Sequence, residues 1–263
     1  MFKILAVGNS FSEDATHYLY KIAESAGVKM KVGNLYIGGC SLERHVGNAK
    51  TGAAEYDYQK NENGEWTHRE NTEMAYGIAD EDWDIITIHQ VSGLSGESDT
   101  YNSDINYLCE YIHKHANNPN VKIGWQMTWA YQQNSGHSEF ARYGCDQLRM
   151  YESIASAVRE KILPDPELDF IIPAGTAIQN MRTSFVGDNL TRDGFHLSYN
   201  LGRYIAGLTW FCSITGTPPE RVSYIPDSDE IPADYIPAIR EAVNNALKTP
   251  LAVTESSYNK REV

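Results

Sequence analysis

Apolar, β-branched runs alternate along most of the chain with segments of helical periodicity. The strand-like runs are residues 3–8, 31–38, 84–90, 121–128 and 168–174, and the helix-like segments are residues 13–27, 99–118, 142–162 and 197–215. Apolar runs without polar alternation are typical of parallel strands that crossover helices bury on both faces. The pattern therefore predicts an α/β fold, a three-layer α/β/α sandwich around a five-stranded parallel sheet of the flavodoxin-like kind.

A polar segment, residues 50–83, interrupts this alternation. Within it, the stretch YDYQKNENGEWTHRE places an Asn-Gly turn between two short strand-like runs, and this predicts an inserted β-hairpin. Its aromatic residues Tyr56, Tyr58 and Trp66 can project over the carboxyl ends of the strands, where ligands bind in this architecture. They can equally well hold the hairpin against the body of the domain.

The length and composition fit one soluble domain. The chain has 263 residues, of which 41% are hydrophobic and 22% charged, and no apolar run is long enough to cross a bilayer. A chain of this length can bury a core as a single unit. We expect one domain over residues 1–250 and a C-terminal tail over residues 251–263.

The charge balance limits the partners. The formal net charge is −13, without a segregated cluster of Lys and Arg, so a nucleic-acid backbone would be repelled. We expect neither a nucleic-acid nor a membrane partner, and the sequence does not determine the oligomeric state. No basic and apolar leader precedes the first strand, which predicts a cytoplasmic protein as written, or a periplasmic or secreted one if a signal peptide was removed.

The sequence contains no motif typical of a metal or organic cofactor site, so we expect neither kind of cofactor. The four cysteines are widely spaced, without a CxxC pair or a zinc-ribbon spacing: Cys40, Cys109, Cys145 and Cys212. The sequence also has no HExxH motif, no phosphate-binding glycine loop and no dinucleotide-binding fingerprint.

The first predicted strand ends in VGNSFSED, residues 7–14, and a helical pattern starts almost at once. Ser10 can simply cap that helix, because Ser10-Phe11-Ser12-Glu13 fits a capping box. It can instead be a nucleophile held at the end of the strand. A loop that cradles phosphate is disfavoured, because Glu13 and Asp14 would lie where the phosphate charge should go.

A second motif, Asp-x-x-His at residues 193–196, favours the nucleophile. A serine hydroxyl needs a base to take its proton, and the base needs a third group to fix its tautomer and orientation. His196 and Asp193 can supply these two roles from one loop before the last predicted helix. Taken alone the motif is weak, and Asp193 could be a surface turn residue.

These motifs together resemble the SGNH, or GDSL-like, hydrolases. The resemblance rests on Gly-Asn-Ser after the first strand, a glycine after the second, and Asp-x-x-His before the last helix. More narrowly, the stretches ILAVGNSFSEDA, WDIITIHQVSGLSG, MTWAYQ and DGFHLS resemble a bacterial branch that is catalogued as a domain of unknown function. Its members are assumed to be esterases acting on carbohydrates.

The resemblance implies a role for each motif. Ser10 would be the nucleophile, His196 the general base and then acid, and Asp193 the residue that orients His196. The oxyanion hole would combine the backbone N–H of Ser10, a glycine N–H and an asparagine side chain. Gly38 or Gly39 matches the glycine, and Gly39 is preferred because the strand should have ended there.

The asparagine of the family is missing from this sequence. The matching strand ends in His89-Gln90-Val91-Ser92 instead of Gly-x-Asn-Asp. Gln90 carries a side-chain amide that can donate to an oxyanion, and Gln126 at the end of the fourth strand is the reserve candidate.

The resulting hypothesis is two-step acyl transfer through an acyl-enzyme. Trp66, Trp129 and Tyr131 would suit stacking on sugar faces, and with the resemblance they favour an acetyl or similar small acyl ester on a small molecule or oligosaccharide. Two alternatives remain open, which are a lipid- or thioester-directed esterase and a non-catalytic carbohydrate-binding protein on the same fold.

Overall fold

The computed structural model describes residues 1–101, 103–226 and 231–259. In these residues the strands are β1 (Phe2–Gly8), β2 (Met30–Tyr36), β3 (Tyr56–Asn61), β4 (Trp66–Thr72), β5 (Ile85–Ile88), β6 (Lys122–Gln126) and β7 (Phe170–Ile172). The α-helices are α1 (Ser10–Thr16), α2 (Leu19–Ser25), α3 (Leu42–Thr51), α4 (Met74–Ala79), α5 (Asp104–His115), α6 (Gln147–Ala157), α7 (Ala174–Arg182), α8 (Leu201–Thr215) and α9 (Tyr235–Lys248).

The strands form one mixed sheet in the order β4-β3-β2-β1-β5-β6-β7. The five strands from β2 to β7 in this order are parallel to their neighbours. The β3–β4 hairpin extends the sheet, because β3 pairs antiparallel with the free edge of β2. The protein therefore has an α/β fold with a seven-stranded mixed sheet flanked by helices. The prediction of a five-stranded sheet missed the two added strands because the sequence does not show where a hairpin will dock.

The central strands are apolar because both faces of the sheet are covered. In β1 the four consecutive residues Ile4, Leu5, Ala6 and Val7 are at most 1% exposed, although alternate side chains point to opposite faces. On one of the covering helices, α8, every residue from 201 to 212 is buried. The candidate site residues described below lie at the carboxyl ends of β1, β2, β5 and β6 and in the loop before α8.

The predicted helices are present in shortened form. The segment 13–27 is two helices, α1 and α2, which are separated at residues 17–18, and 142–162 is α6 followed by a π-helical turn at Val158–Ile162. Helices α3, α4, α7 and α9 were not predicted. Short helices such as α4 offer too few turns for a periodic pattern to be recognised.

In the described ranges, no helix is both long and apolar enough to cross a bilayer. The end of the described chain, residues 251–259, lies against α7 and the residues that follow it. The backbone N–H of Thr254 donates to Asn180 Oδ1 at 2.8 Å, and the Phe185 N–H donates to the Tyr258 carbonyl at 2.8 Å.

Candidate active site

Three side chains from opposite ends of the chain form a continuous row of hydrogen bonds. Ser10 Oγ lies 2.9 Å from His196 Nε2, and His196 Nδ1 lies 2.6 Å from Asp193 Oδ2. A carboxylate can only accept, so Nδ1 carries the proton and the lone pair of Nε2 faces the serine hydroxyl. This is the arrangement in which a histidine can take the proton of a serine that attacks a carbonyl.

Asp193 is held in its ionised form. Partial burial would raise the pKa of its carboxyl group, but hydrogen bonds from the His196 side chain and from two backbone N–H groups outweigh burial, so the pKa lies below its ordinary value. Asp193 Oδ1 accepts the N–H of His196 at 2.8 Å and that of Phe195 at 3.2 Å. Asp193 therefore accepts hydrogen bonds from two backbone N–H groups of its own loop, and its bond to Nδ1 fixes the orientation of the imidazole.

Ser10 is not the cap of its helix. Asn9 is the N-cap of α1, and its Oδ1 accepts the Phe11 N–H at 2.9 Å. Ser10 is the first helical residue, so its backbone N–H has no partner within the helix. In the capping-box alternative, the Ser10 hydroxyl would accept a backbone N–H of the helix. In the structure it is directed to His196 instead.

The Asn9 side chain also connects the turn at Ser10 to two neighbouring strand ends. Its Nδ2 donates to the Cys40 carbonyl at 3.0 Å, and its Oδ1 lies 3.1 Å from His89 Nε2. Burial lowers the pKa of His89 to about 3, so the neutral imidazole donates Nε2–H to this oxygen. The turn at Ser10, the loop after β2 and the end of β5 are thereby held together.

Backbone N–H groups at the serine and in the loop after β2 are available to bind an anion. Within the described residues, the N–H groups of Ser10, Gly38 and Gly39 have no hydrogen-bond acceptor. Gly39 has a φ of +63°, which places it in the left-handed region that favours glycine. One cavity of about 620 Å³ is lined by all four of the residues Ser10, Gly38, Gly39 and His196.

A buried carboxylate connects α1 to the loop that carries His196. Asp14 is fully buried and accepts hydrogen bonds from Arg192 Nη1 at 2.9 Å, from Arg203 Nε at 2.7 Å and from the Leu197 N–H at 2.9 Å. Since Ser10 begins the same helix, Asp14 fixes Ser10 relative to the residue that follows His196.

Gln90 does not take the place of the missing asparagine. It is buried and absent from the described cavity lining. Its Oε1 accepts the N–H groups of Leu42 at 3.1 Å and Val91 at 2.8 Å, and its Nε2 donates to Thr100 Oγ1 at 3.1 Å. The expectation for Gln90 was wrong because its long side chain connects β5 to α3 and to the loop at Thr100.

The reserve candidate, Gln126, does not reach the cavity either. It is fully buried at the end of β6 and is not among the described residues that line the cavity. Its side-chain nitrogen and oxygen have no hydrogen-bond partner in the described part of the chain.

Of the three aromatic residues expected to stack on a sugar, only Tyr131 belongs to the cavity wall, where its side chain is fully buried. Trp129 is fully buried, where it stacks on Phe11 with ring centroids 4.1 Å apart and donates Nε1–H to the Phe195 carbonyl. It supports the two segments that carry Ser10 and His196. Trp66 lines a separate cavity and donates to the His17 carbonyl at 3.4 Å, so the hairpin does not project over Ser10.

Several residues of the cavity wall were not identified from the sequence: Tyr36, Ser41, Leu94, His137, Glu139, Arg142 and Phe195. Tyr36 ends β2, so its place at the carboxyl end of a strand was a usable signal. His137, Glu139 and Arg142 lie in or next to a short 3-10 segment, Ser138–Tyr143, that has no periodic pattern. In the described residues, no three His, Cys, Asp or Glu side chains come together as metal ligands would.

Comparisons with known proteins give both a family and a fold. A family model described as a domain of unknown function, DUF4886, matches residues 3–242. A crystal structure described as a DUF4886 family protein from Bacteroides uniformis ATCC 8492 is 41% identical to this chain, with a TM-score of 0.93 over 98% of this chain and 99% of that one. No curated protein matches the chain.

Two more distant structures share the fold. One is described as a putative SGNH hydrolase from Slackia heliotrinireducens, with 23% identity and a TM-score of 0.50 over 81% of this chain and 98% of that one. The other is a mutant of Axe2, an acetyl-xylooligosaccharide esterase from Geobacillus Stearmophilus, with 10% identity and a TM-score of 0.52 over 81% of this chain and 94% of that one.

Proposed function

This chain belongs to the DUF4886 family and has the fold of the SGNH hydrolases, and we propose that it is a serine esterase that removes small acyl groups from a carbohydrate. The observation that carries the proposal is the row of hydrogen bonds from Asp193 through His196 to Ser10. This row ends in a cavity lined by Ser10 and Gly39, whose N–H groups have no acceptor in the described residues.

The first half of the reaction forms an acyl-enzyme. Ser10 Oγ attacks the ester carbonyl while His196 Nε2 takes its proton, and the negative charge of Asp193 stabilises the imidazolium. The N–H groups of Ser10 and Gly39 donate to the oxyanion of the tetrahedral intermediate. When this intermediate collapses, the alcohol oxygen leaves and takes the proton from His196.

The second half returns the enzyme to its starting state. A water molecule attacks the acyl carbonyl, His196 accepts its proton, and the same N–H groups bind the second oxyanion. Collapse of this intermediate breaks the bond to Ser10 Oγ, which regains the proton from His196 as the carboxylic acid departs. No step needs an oxidant, a reductant or a third substrate.

The cavity wall supports a sugar ester as substrate. Its volume of about 620 Å³ falls in the range of small-molecule sites. Aromatic rings of Tyr36 and Phe195 offer flat apolar faces, and His137 and Arg142 add hydrogen-bond donors that sugar hydroxyls can use. We therefore assign the carbonyl to the Ser10 end and the sugar to the open part of the cavity.

The test compares two serines on the same helix. Ser12 is fully buried, and its hydroxyl lies 2.8 Å from both the Asn9 carbonyl and Asn34 Oδ1. We expect Ser10→Ala to abolish hydrolysis of an activated acetyl ester and of acetylated oligosaccharides without lowering the melting temperature. Ser12→Ala should lower the melting temperature and keep activity, because it removes a buried hydrogen bond worth about 1 kcal/mol.

Two results would contradict the proposal. One is a Ser10→Ala variant that hydrolyses both substrates at the wild-type rate. The other is a wild-type protein that binds acetylated oligosaccharides, as measured by calorimetry, but releases no acetate from them or from the activated ester. The second result would favour the non-catalytic carbohydrate-binding protein.

A further inference from the structure

Two hydroxyl groups of the cavity wall share a hydrogen bond. Ser92 Oγ lies 2.8 Å from the Tyr131 hydroxyl, and both residues line the cavity that contains Ser10 and Gly39. Ser92 begins a short 3-10 turn, Ser92–Leu94, after β5, and Tyr131 follows β6. The two hydroxyls therefore belong to the inner wall at the carboxyl ends of adjacent strands.

Counting protons shows that this pair has one donor left over. Each hydroxyl carries one proton, and their shared hydrogen bond uses one of the two. Neither oxygen has another hydrogen-bond partner among the described residues. Burial raises the pKa of Tyr131 to about 12, so its hydroxyl stays protonated at neutral pH and one O–H remains to donate into the cavity.

Ser92 follows the strand next to that of Ser10, whereas Tyr131 follows a strand one position further out and is fully buried. Strand β5 pairs directly with β1, with Ile88 opposite Val7, whereas β6 lies one strand further out. Ser10 and Ser92 follow the ends of these two neighbouring strands. We therefore assign the remaining proton to Ser92. The Tyr131 hydroxyl donates to Ser92 Oγ, and the Ser92 hydroxyl donates into the cavity.

We propose that Ser92 is the third donor of the oxyanion hole and that Tyr131 is a positioning residue that orients its hydroxyl. The inference rests on the proposed esterase function and assigns the donor that neither Gln90 nor Gln126 supplies. Hydrogen bonds to charged acceptors are stronger than those to neutral ones. The Ser92 hydroxyl would therefore stabilise the substrate oxygen mainly in the transition state, when that oxygen becomes negative. Ser92 should therefore affect kcat more than KM.

The experiment compares Ser92→Ala and Tyr131→Phe with two matched variants outside the cavity. Ser95→Ala removes another buried hydroxyl of the same segment, which bonds the Val91 carbonyl at 3.0 Å. Tyr151→Phe breaks another buried pair of hydroxyls, in which Tyr151 lies 3.0 Å from Thr176 Oγ1. The readouts are kcat and KM for an activated acetyl ester and the rate at which a fluorophosphonate modifies Ser10, followed by intact mass.

We expect Ser92→Ala to lower kcat by about 10²-fold, the usual effect of removing one oxyanion donor, with little change in KM. Phosphonylation of Ser10 should slow as well, because the phosphoryl oxygen occupies the same hole. Tyr131→Phe should show a smaller loss of kcat, since Ser92 keeps its proton but loses its orienting partner. Ser95→Ala and Tyr151→Phe should stay near the wild-type rates.

The outcomes separate this inference from the proposed function. If the wild type reacts with the fluorophosphonate but Ser92→Ala reacts and turns over like Ser95→Ala, only the assignment of Ser92 is overturned. A larger loss in Tyr131→Phe than in Ser92→Ala also overturns it, because Tyr131 would then be the donor. If the wild type neither reacts with the probe nor hydrolyses the ester, Ser10 is not a nucleophile and both proposals are overturned.

Discussion

The Asp14 carboxylate accepts the backbone N–H of Leu197 at 2.9 Å, so the helix that starts at Ser10 is bonded directly to the residue after His196. The same carboxylate faces Arg192 and Arg203 and is fully buried. Removing one partner of a buried ion pair is strongly destabilising, because it leaves an uncompensated buried charge. Asp14 therefore couples the stability of the fold to the geometry of the candidate triad.

From this coupling, Asp14→Asn should lower both stability and turnover. The substitution leaves two guanidinium groups without their carboxylate, which costs about 3–5 kcal/mol for a buried pair, and it loosens the attachment of the His196 loop. Urea unfolding and kcat for an activated acetyl ester measure the two effects. Glu13→Gln is the matched control, because the neighbouring Glu13 is half-buried and, among the described residues, accepts a single long hydrogen bond of 3.3 Å from Gln59. Equal unfolding curves for the two variants would contradict the prediction.

Asp193→Asn should lower kcat by about 10⁴-fold, as expected when the residue that orients a catalytic histidine loses its charge. The amide keeps the shape of the carboxylate but no longer holds the proton on His196 Nδ1. Because the Asp193 side chain is 40% exposed, the melting temperature should change little. A variant with wild-type kcat would exclude Asp193 from the triad, and a large drop in melting temperature would make the kinetic result a folding effect.

Alanine substitutions at the two adjacent glycines distinguish Gly39 from Gly38. An added Cβ at Gly39 meets no atom within 4 Å, but its φ of +63° strains any side chain, at a cost of about 1–2 kcal/mol. An added Cβ at Gly38 would contact the Tyr36 side chain, whose hydroxyl oxygen would lie 3.3 Å away. We expect Gly39→Ala to lower the melting temperature and kcat more than Gly38→Ala. The reverse order in kcat would assign the oxyanion donor to Gly38.

Two buried histidines should make the protein less stable in mild acid. Burial lowers the pKa values of His45 and His89 to about 3, whereas an imidazole in the unfolded chain titrates near 6.5. Between these values the unfolded state binds more protons, so stability is fully present above pH 6.5 and is lost as the pH falls towards 3. Each histidine contributes a slope of up to about 1.4 kcal/mol per pH unit.

The measurement is the free energy of unfolding in urea at several pH values from 7.5 to 4.5. His45→Leu should give a shallower slope below pH 6.5, because one imidazole no longer takes up a proton on unfolding. The matched control is His113→Gln, which removes an exposed imidazole of α5. A His45→Leu variant with the wild-type slope would show that His45 does not contribute.

The sequence by itself determined the features that depend on contiguous residues. The five central strands were recognisable because burial on both faces demands an apolar run in each. Ser10, Asp193 and His196 were identifiable because each lies in a short motif at the end of an element, where the backbone already limits what the side chain can reach. The order of the motifs along the chain then matched a known family.

Only the tertiary structure decided which side chains face the cavity. Gln90 and Trp129 lie close in sequence to cavity residues, yet packing directs Gln90 to Leu42 and Thr100, and Trp129 to Phe11. The hairpin joined the edge of β2, which moved Trp66 to another cavity. The Ser92–Tyr131 pair spans 39 residues, and such contacts depend on the register of strands and on side-chain rotamers. No local pattern encodes them, because they arise only when distant segments compete for the same buried space.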